Sequence, residues 1–213
     1  MKLFLDFDDT LFDTRRFRED LRRVFVGCGV SEEQFHTAYQ EIKQTFSGEK
    51  LRTYDFDRHV EMVVSLYGVD EMLLRSRVQE FLVSSSRYFF SDTMDFLDAM
   101  REAGARIVIV SYGTAKFQYE KIEASGIAKY VDDSVIGGID KGAEIAKRFS
   151  EGDTGWFLED RVEHIDAAKR ANPTLQTILV SRPEGRYHDE KTEYCDFVVR
   201  DLREARKVIS NSQ

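Results

Sequence analysis

The sequence predicts an α/β protein, a parallel β-sheet with helices on both faces, interrupted by a separate all-helical unit. Three observations carry this. Short apolar runs without alternation, at residues 3–7 and 106–110, have the composition of strands buried on both faces. From Asp92 onward such runs alternate with amphipathic helical segments. Between about Arg15 and Arg87 no strand signal occurs, and apolar residues recur at helical spacing.

The elements follow in order. Residues 3–7 form the first strand, which runs into three carboxylates, Asp6, Asp8 and Asp9. Phe17, Leu21, Val24 and Phe25 make one apolar stripe of a first helix, and Gly27 and Gly29 can end it. Ser31-Glu32-Glu33-Gln34 has the form of a capping box and starts a second helix, running to about Ser47 and Gly48. Val60, Val63, Val64 and Tyr67 mark a third, closed by Gly68. Asp70 caps a fourth that carries Leu73, Leu74, Val78, Phe81 and Leu82. The helix–strand rhythm then begins: a helix over 92–103 closed by Gly104, and a strand over 106–110 ending at Ser111. Thr114 caps a helix that stops at Gly126. A short strand over 134–136 leads through Gly137 and Gly138 to a helix from about Lys141. A strand over 155–158, with Trp156 in the core, ends at Glu159 and Asp160. The helix after it stops at Asn172-Pro173, since the residue before a proline is pushed out of helical angles. Strands over 177–180 and 197–199 follow, and Asp201 caps the last helix.

Composition bounds the function. The chain has 213 residues, 42% hydrophobic and 33% charged, a globular composition large enough for one domain carrying an insertion. The net charge of −8 argues against a broad nucleic-acid footprint. Cys28 and Cys195 stand far apart in no metal-ligand spacing, which suggests a reducing compartment. The first apolar run breaks at Asp6, too early for a signal peptide or a membrane span, so a cytoplasmic location without membrane partners is expected. No repeat, linker tract or glycine-rich nucleotide motif occurs.

In a parallel sheet, ligands bind at the carboxyl ends of the strands, near the point where strand order reverses. The polar residues just past those ends are Asp6, Asp8 and Thr10, then Ser111, then Lys141, then Glu159 and Asp160. Clustered carboxylates from two strand ends cannot be buried without a positive partner. They form a hard oxygen site suited to Mg²⁺, which takes few protein carboxylates and keeps waters and substrate phosphate. A hydroxyl and an ammonium beside it can hold a phosphoryl group. One carboxylate is then free to attack phosphorus, and a second on the same turn can protonate the leaving oxygen and later deprotonate water.

The same residues carry a resemblance. The stretch "DFDDT" after a buried strand resembles the first motif of the haloacid dehalogenase superfamily, Asp-x-Asp-x-Thr. "IVIVS" resembles its second, "DKG" its third and "WFLEDRVEHIDAAKRA" its fourth, in order along the chain. The resemblance implies a Rossmann-like three-layer core made of residues 1–14 and 89–213, with a helical cap over 15–88. It implies a Mg²⁺-dependent phosphatase acting on a small phosphorylated metabolite. Asp6 would be nucleophile and metal ligand. Asp8 would be general acid/base and would bind the metal through its carbonyl. Thr10 would brace the loop, Ser111 and Lys141 would hold phosphoryl oxygens, and Asp160 would ligate the metal with Glu159 beside it. Lys121 competes with Lys141 for the lysine role. A phosphomutase of the same superfamily is the alternative, with a non-catalytic phospholigand-binding protein behind it. Oligomeric state is open. Two departures stand out: Asp9 replaces a common glycine, leaving an extra charge to explain, and no proline follows Lys141. Outside the motifs, the arginines at 15, 16, 18, 22 and 23 read as a solvated helix face, with Arg15 or Arg16 the ones that could reach substrate. His36, His59, His164 and His188 read as surface or structural, and residues 182–191 as a surface loop able to line the cleft.

Overall fold

The computed structural model describes residues 1–45, 54–137, 140–150 and 152–212. Six parallel strands form one sheet: β1 (Lys2–Leu5), β2 (Arg106–Tyr112), β3 (Asp133–Gly137), β4 (Gly155–Glu159), β5 (Gln176–Val180) and β6 (Phe197–Val199), in the order β3-β2-β1-β4-β5-β6. The chain moves from β1 to one edge, then returns to its other side for β4, so order reverses at β1. That reversal opens a crevice between the carboxyl ends of β1, β2 and β4.

Alternate strand residues go to opposite faces, as a strand's period of two requires. Leu3, Leu5, Ile107 and Ile109 join one apolar cluster, while Phe4, Val108, Val110 and Phe157 join the other with Ile145, Ile165 and Ala168. Helices cover both faces. The core helices are α5 (Thr93–Glu102), α6 (Ala115–Ser125), α7 (Lys141–Ala146), α8 (Val162–Ala171) and α9 (Leu202–Asn211), numbered after the four inserted ones. The insertion between β1 and β2 holds α1 (Thr14–Gly27), α2 (Glu32–Thr45), α3 (Phe56–Tyr67) and α4 (Glu71–Val83), followed by a 3₁₀ turn at Ser85–Tyr88. This is the α/β fold with an inserted helical cap that the sequence predicts.

Local chemistry sets the helix ends. Ser31 and Gln34 form the reciprocal capping box, with Ser31 N–H donating to Gln34 Oε1 at 2.7 Å and Gln34 N–H to Ser31 Oγ at 3.1 Å. The Asp70 and Asp201 carboxylates accept from Leu73 and Glu204 N–H. Gly68 ends α3 at φ +68°, a left-handed conformation that glycine adopts without steric cost. The predicted second-helix end at Ser47 and Gly48 lies outside the described residues, as does Gly138.

Several expectations are corrected. The first strand stops at Leu5, since Phe7 already turns to accept N–H groups from Leu11 and Phe12 at 3.0 Å each. β2 runs past Ser111 to Tyr112, because its pairing with β3 continues to Gly137. The helix expected over 92–103 runs from Thr93 to Glu102, and the Asp92 carboxylate before it is taken by Arg182. The Thr114 hydroxyl donates to the Tyr54 carbonyl instead of capping α6. Leu73 is exposed at 44%, off the buried face of α4.

The cap and core share one apolar cluster. Phe12 from the loop after β1 meets Phe17 of α1 and Tyr88 at the end of the insertion, with ring centres 5.3 and 5.7 Å apart. Phe17 in turn packs on Phe81 of α4 at 5.0 Å. Among the described residues no helix is long and apolar enough to cross a membrane.

Candidate active site

The loop after β1 is built as a rigid shelf. Asp6 N–H donates to Leu158 O at 2.9 Å, which ties the loop to the end of β4. Asp9 sits at φ +61°, the left-handed region where an aspartate is tolerated better than most side chains. The Thr93 hydroxyl holds the Leu11 carbonyl at 2.7 Å. The Arg182 guanidinium donates to the Thr10 carbonyl at 2.9 Å and pairs with Asp92. The extra charge of Asp9 finds its partner here, since Arg186 Nε donates to its carboxylate.

Asp6, Glu159 and Asp160 meet at the strand-order reversal, with carboxylate oxygens within 4.8 Å of one another. All three are buried. Lys141, at the first position of α7, bridges two of them, 2.6 Å from Asp6 Oδ1 and 2.6 Å from Glu159 Oε2. Its approach depends on Gly142: a Cβ there would lie 2.7 Å from the Ala167 carbonyl oxygen, so only glycine lets α7 come this close to α8. His164 Nδ1 lies 3.2 Å from Glu159 Oε2 on the far side.

The electrostatics are unbalanced. Burial, then the Glu159 charge, pushes the Asp6 carboxyl up to about 7. Burial, then Glu159 and Asp6, pushes Asp160 up to about 11. Burial also works against the Glu159 charge, but the Lys141 ammonium, His164 and the Asp160 hydrogen bond together outweigh it and hold Glu159 well below the usual carboxylate range. One ammonium therefore serves three carboxylates. Asp160 Oδ2 is buried with no hydrogen-bond partner. A buried carboxylate oxygen left unpaired is costly, and a hard divalent cation such as Mg²⁺ fits both the vacant lone pairs and the oxygen-only donor set.

Asp8 lies in different surroundings. Lys121 Nζ is 2.6 Å from its Oδ1, Gln118 Nε2 donates to its Oδ2 at 2.6 Å, and the Thr14 hydroxyl donates to Oδ1. Burial would raise this carboxyl, but the Lys121 charge and these bonds hold it below its ordinary value. Two carboxyls on one turn are thus driven in opposite directions.

The site opens into a cavity of about 810 Å³ between the sheet end and the cap. Asp6, Asp8, Lys141, Glu159 and Asp160 line it. Thr10 and Ser111 are fully buried behind it, with the Ser111 hydroxyl accepting from Gln118 Nε2 at 2.7 Å. Both competing lysines line the cavity, each on its own aspartate. Of the arginine cluster on α1 it is Arg18, rather than Arg15 or Arg16, that lines the cavity. Residues 182–191 line it through Arg186 and Tyr187. Sequence reading missed Thr14, Gln118, Arg186 and the contact of His164. Thr14 and Gln118 look like an ordinary helix start and an ordinary helix residue, and nothing in their spacing points at Asp8.

Fold and site together define a doubly wound α/β enzyme core with a carboxylate–lysine centre under a helical insertion. The chain belongs to the haloacid dehalogenase-like hydrolases, whose family model matches residues 3–172. Two curated relatives are named glyceraldehyde 3-phosphate phosphatase. One, from Methanopyrus kandleri, is 25% identical over 92% of this chain and 89% of its own length. The other, from Methanothermobacter thermautotrophicus, is 28% identical over 62% of this chain and 61% of its own length. Among solved structures, a haloacid dehalogenase-like hydrolase from Burkholderia xenovorans LB400 matches at TM-score 0.73 with 20% identity, over 98% of this chain and 96% of that one. The HAD-hydrolase YfnB from Bacillus subtilis, bound to magnesium, matches at TM-score 0.66 with 17% identity, over 98% and 97%. At these identities the structures share the fold.

Proposed function

We propose that this protein is a Mg²⁺-dependent phosphatase that cleaves a small phosphate monoester through a phosphoryl group carried on Asp6. The observation behind it is the buried cluster of Asp6, Glu159 and Asp160 around Lys141, placed at the strand-order reversal and open to the cavity. Asp6, Asp160, Glu159 and the Asp8 carbonyl would hold the ion. When bound, Mg²⁺ supplies the positive charge that keeps Asp6 ionised and offsets the charge of the phosphoryl oxygens. Lys141 binds a phosphoryl oxygen, and Ser111 supports that pocket through Gln118. In the first step Asp6 attacks phosphorus, the P–O bond to the leaving group breaks, and Asp8 gives that oxygen a proton. In the second, water attacks the phosphoryl group on Asp6, its proton passes to Asp8, and phosphate and the Asp6 carboxylate are released.

Asp8, as held by Lys121, is ionised and ready to accept a proton from water in the second step. Its donor role in the first step requires a proton. An arriving phosphoryl group competes for Lys121, and loss of that partner raises the proton affinity of Asp8. The two relatives named as phosphatases support hydrolysis over transfer to a sugar, and their named substrate is a triose phosphate. Residues 15–88 act as the cap that closes on the substrate, and 1–14 with 89–213 as the core. The acidic charge and two free thiols fit a cytoplasmic enzyme. The test is hydrolysis of p-nitrophenyl phosphate. It should require Mg²⁺ and stop on chelation with EDTA; full activity in EDTA would sink the metal assignment.

A further inference from the structure

The cavity has two chemically different walls. The sheet side carries the carboxylates and lysines already described. The cap side is apolar and aromatic, formed by Leu21, Phe35, Tyr39 and Tyr54, with Phe117 of α6 beside them. A phosphoryl group with a short polyol leaves such a wall facing water, where apolar surface gains nothing. At about 810 Å³ the cavity also has room for more than that.

Among the described residues, Arg18 is the one charged side chain that the cap contributes to this cavity. Its guanidinium sits over the Tyr39 ring, 4.5 Å from the ring centre. The other cations lining the cavity already face carboxylates. Arg186 holds Asp9, Arg161 lies 2.7 Å from Glu163 and 3.3 Å from Asp189, Lys121 holds Asp8, and Lys141 holds Asp6 and Glu159. Arg18 has no carboxylate among the described residues, in a chain with eight more acidic than basic side chains. A half-buried guanidinium stacked on a ring keeps its in-plane N–H donors for a flat or bidentate anion.

We propose that the cap wall holds the leaving group of the substrate, and that this group has an apolar body ending in a second anion paired with Arg18. A carboxylate and a second phosphate share the required chemistry. The inference rests on the phosphatase reading only for the phosphoryl end.

Calorimetric binding keeps the two apart, because it needs no turnover. The probes are benzylphosphonate, 4-carboxybenzylphosphonate and 1,4-xylylene bisphosphonate, each titrated into the wild-type protein and Arg18→Gln in Mg²⁺. The wild type should bind at least one doubly anionic probe about 10–100-fold more tightly than benzylphosphonate, the range of a charge-assisted hydrogen-bonded contact. Which of the two gains shows whether carboxylate or phosphate is the natural anion. In Arg18→Gln that ratio should fall to near one, and Arg18→Lys should restore part of it. Equal wild-type affinity for all three probes, a ratio unchanged in Arg18→Gln, or no binding by any probe overturns the inference. Arg18-dependent binding without hydrolysis of p-nitrophenyl phosphate overturns the phosphatase reading and leaves this one standing.

Discussion

Single residues at this site work by being left incomplete. Asp160 Oδ2 has no partner, and Glu159 and Asp6 share one lysine. Asp160→Asn removes one anionic oxygen and relieves repulsion in the same step. It should therefore raise the Mg²⁺ concentration needed for half-maximal activity while leaving the protein at least as stable without metal. Activity titrations against Mg²⁺, paired with thermal melts in EDTA, check both halves. The pattern of acidic residues after strand ends makes this cluster readable from sequence. Asp9 shows where reading stops. Its tolerance of a left-handed backbone is a residue property, but its partner Arg186 lies 177 positions away, in a stretch that reads as a surface loop. Long-range pairing of that kind leaves no local periodicity to detect.

Elements were legible where their signals are local. The capping box at Ser31, the glycine after α3 and the stripe of α1 are each decided within one or two turns of chain. Asp92 stands at the start of α5, but its carboxylate makes no cap bond and is used in tertiary structure instead. Its carboxylate joins the Arg182 guanidinium and Leu202 N–H, which locks the end of β5, the start of α5 and the loop after β1 together. Arg182→Met leaves Asp92 buried and uncompensated, so it should cost about 3–5 kcal/mol in chemical denaturation. A cost near zero would show that the pair is not structural. Within the cap, His59 is fully buried, stacked on Phe25 at 4.7 Å and with Nδ1 3.0 Å from the Tyr54 hydroxyl. Burial lowers its proton affinity to about 4 from the ordinary 6.5. The unfolded chain then binds the proton more readily than the folded one. The stability this residue gives is complete above about pH 6.5 and is lost as pH falls toward 4. Between pH 7 and 5 the wild type should lose about 2 kcal/mol more than His59→Phe does. Parallel losses in the two proteins would show that His59 does not titrate in this way.

The whole molecule joins a rigid shelf to a helical cover through a shared aromatic cluster. Phe12 belongs to the loop after β1, Phe17 to the cap and Tyr88 to the return path, so any movement of the cap is felt at the loop that carries Asp6 and Asp8. The parallel sheet and the helical insertion could be read from sequence because they follow from periodicity, the motif order because it resembles a known family, and the order of the strands only from the structure. The size and lining of the cavity could not, since they depend on how the cap sits over the sheet. The proposed function turns on two carboxylates of one turn doing different work, Asp6 as nucleophile and Asp8 as acid and base. Rapid mixing of Asp8→Ala with p-nitrophenyl phosphate, followed by intact-mass analysis, tests that division most directly. A nitrophenolate leaving group needs little acid help, so the first step should survive, while the second loses general-base help of about 10²–10⁴-fold. The account predicts a burst of nitrophenol, slow turnover afterwards, and protein heavier by one phosphoryl group that Asp6→Asn never acquires. Turnover by Asp8→Ala at the wild-type rate, with no phosphorylated protein, would contradict it.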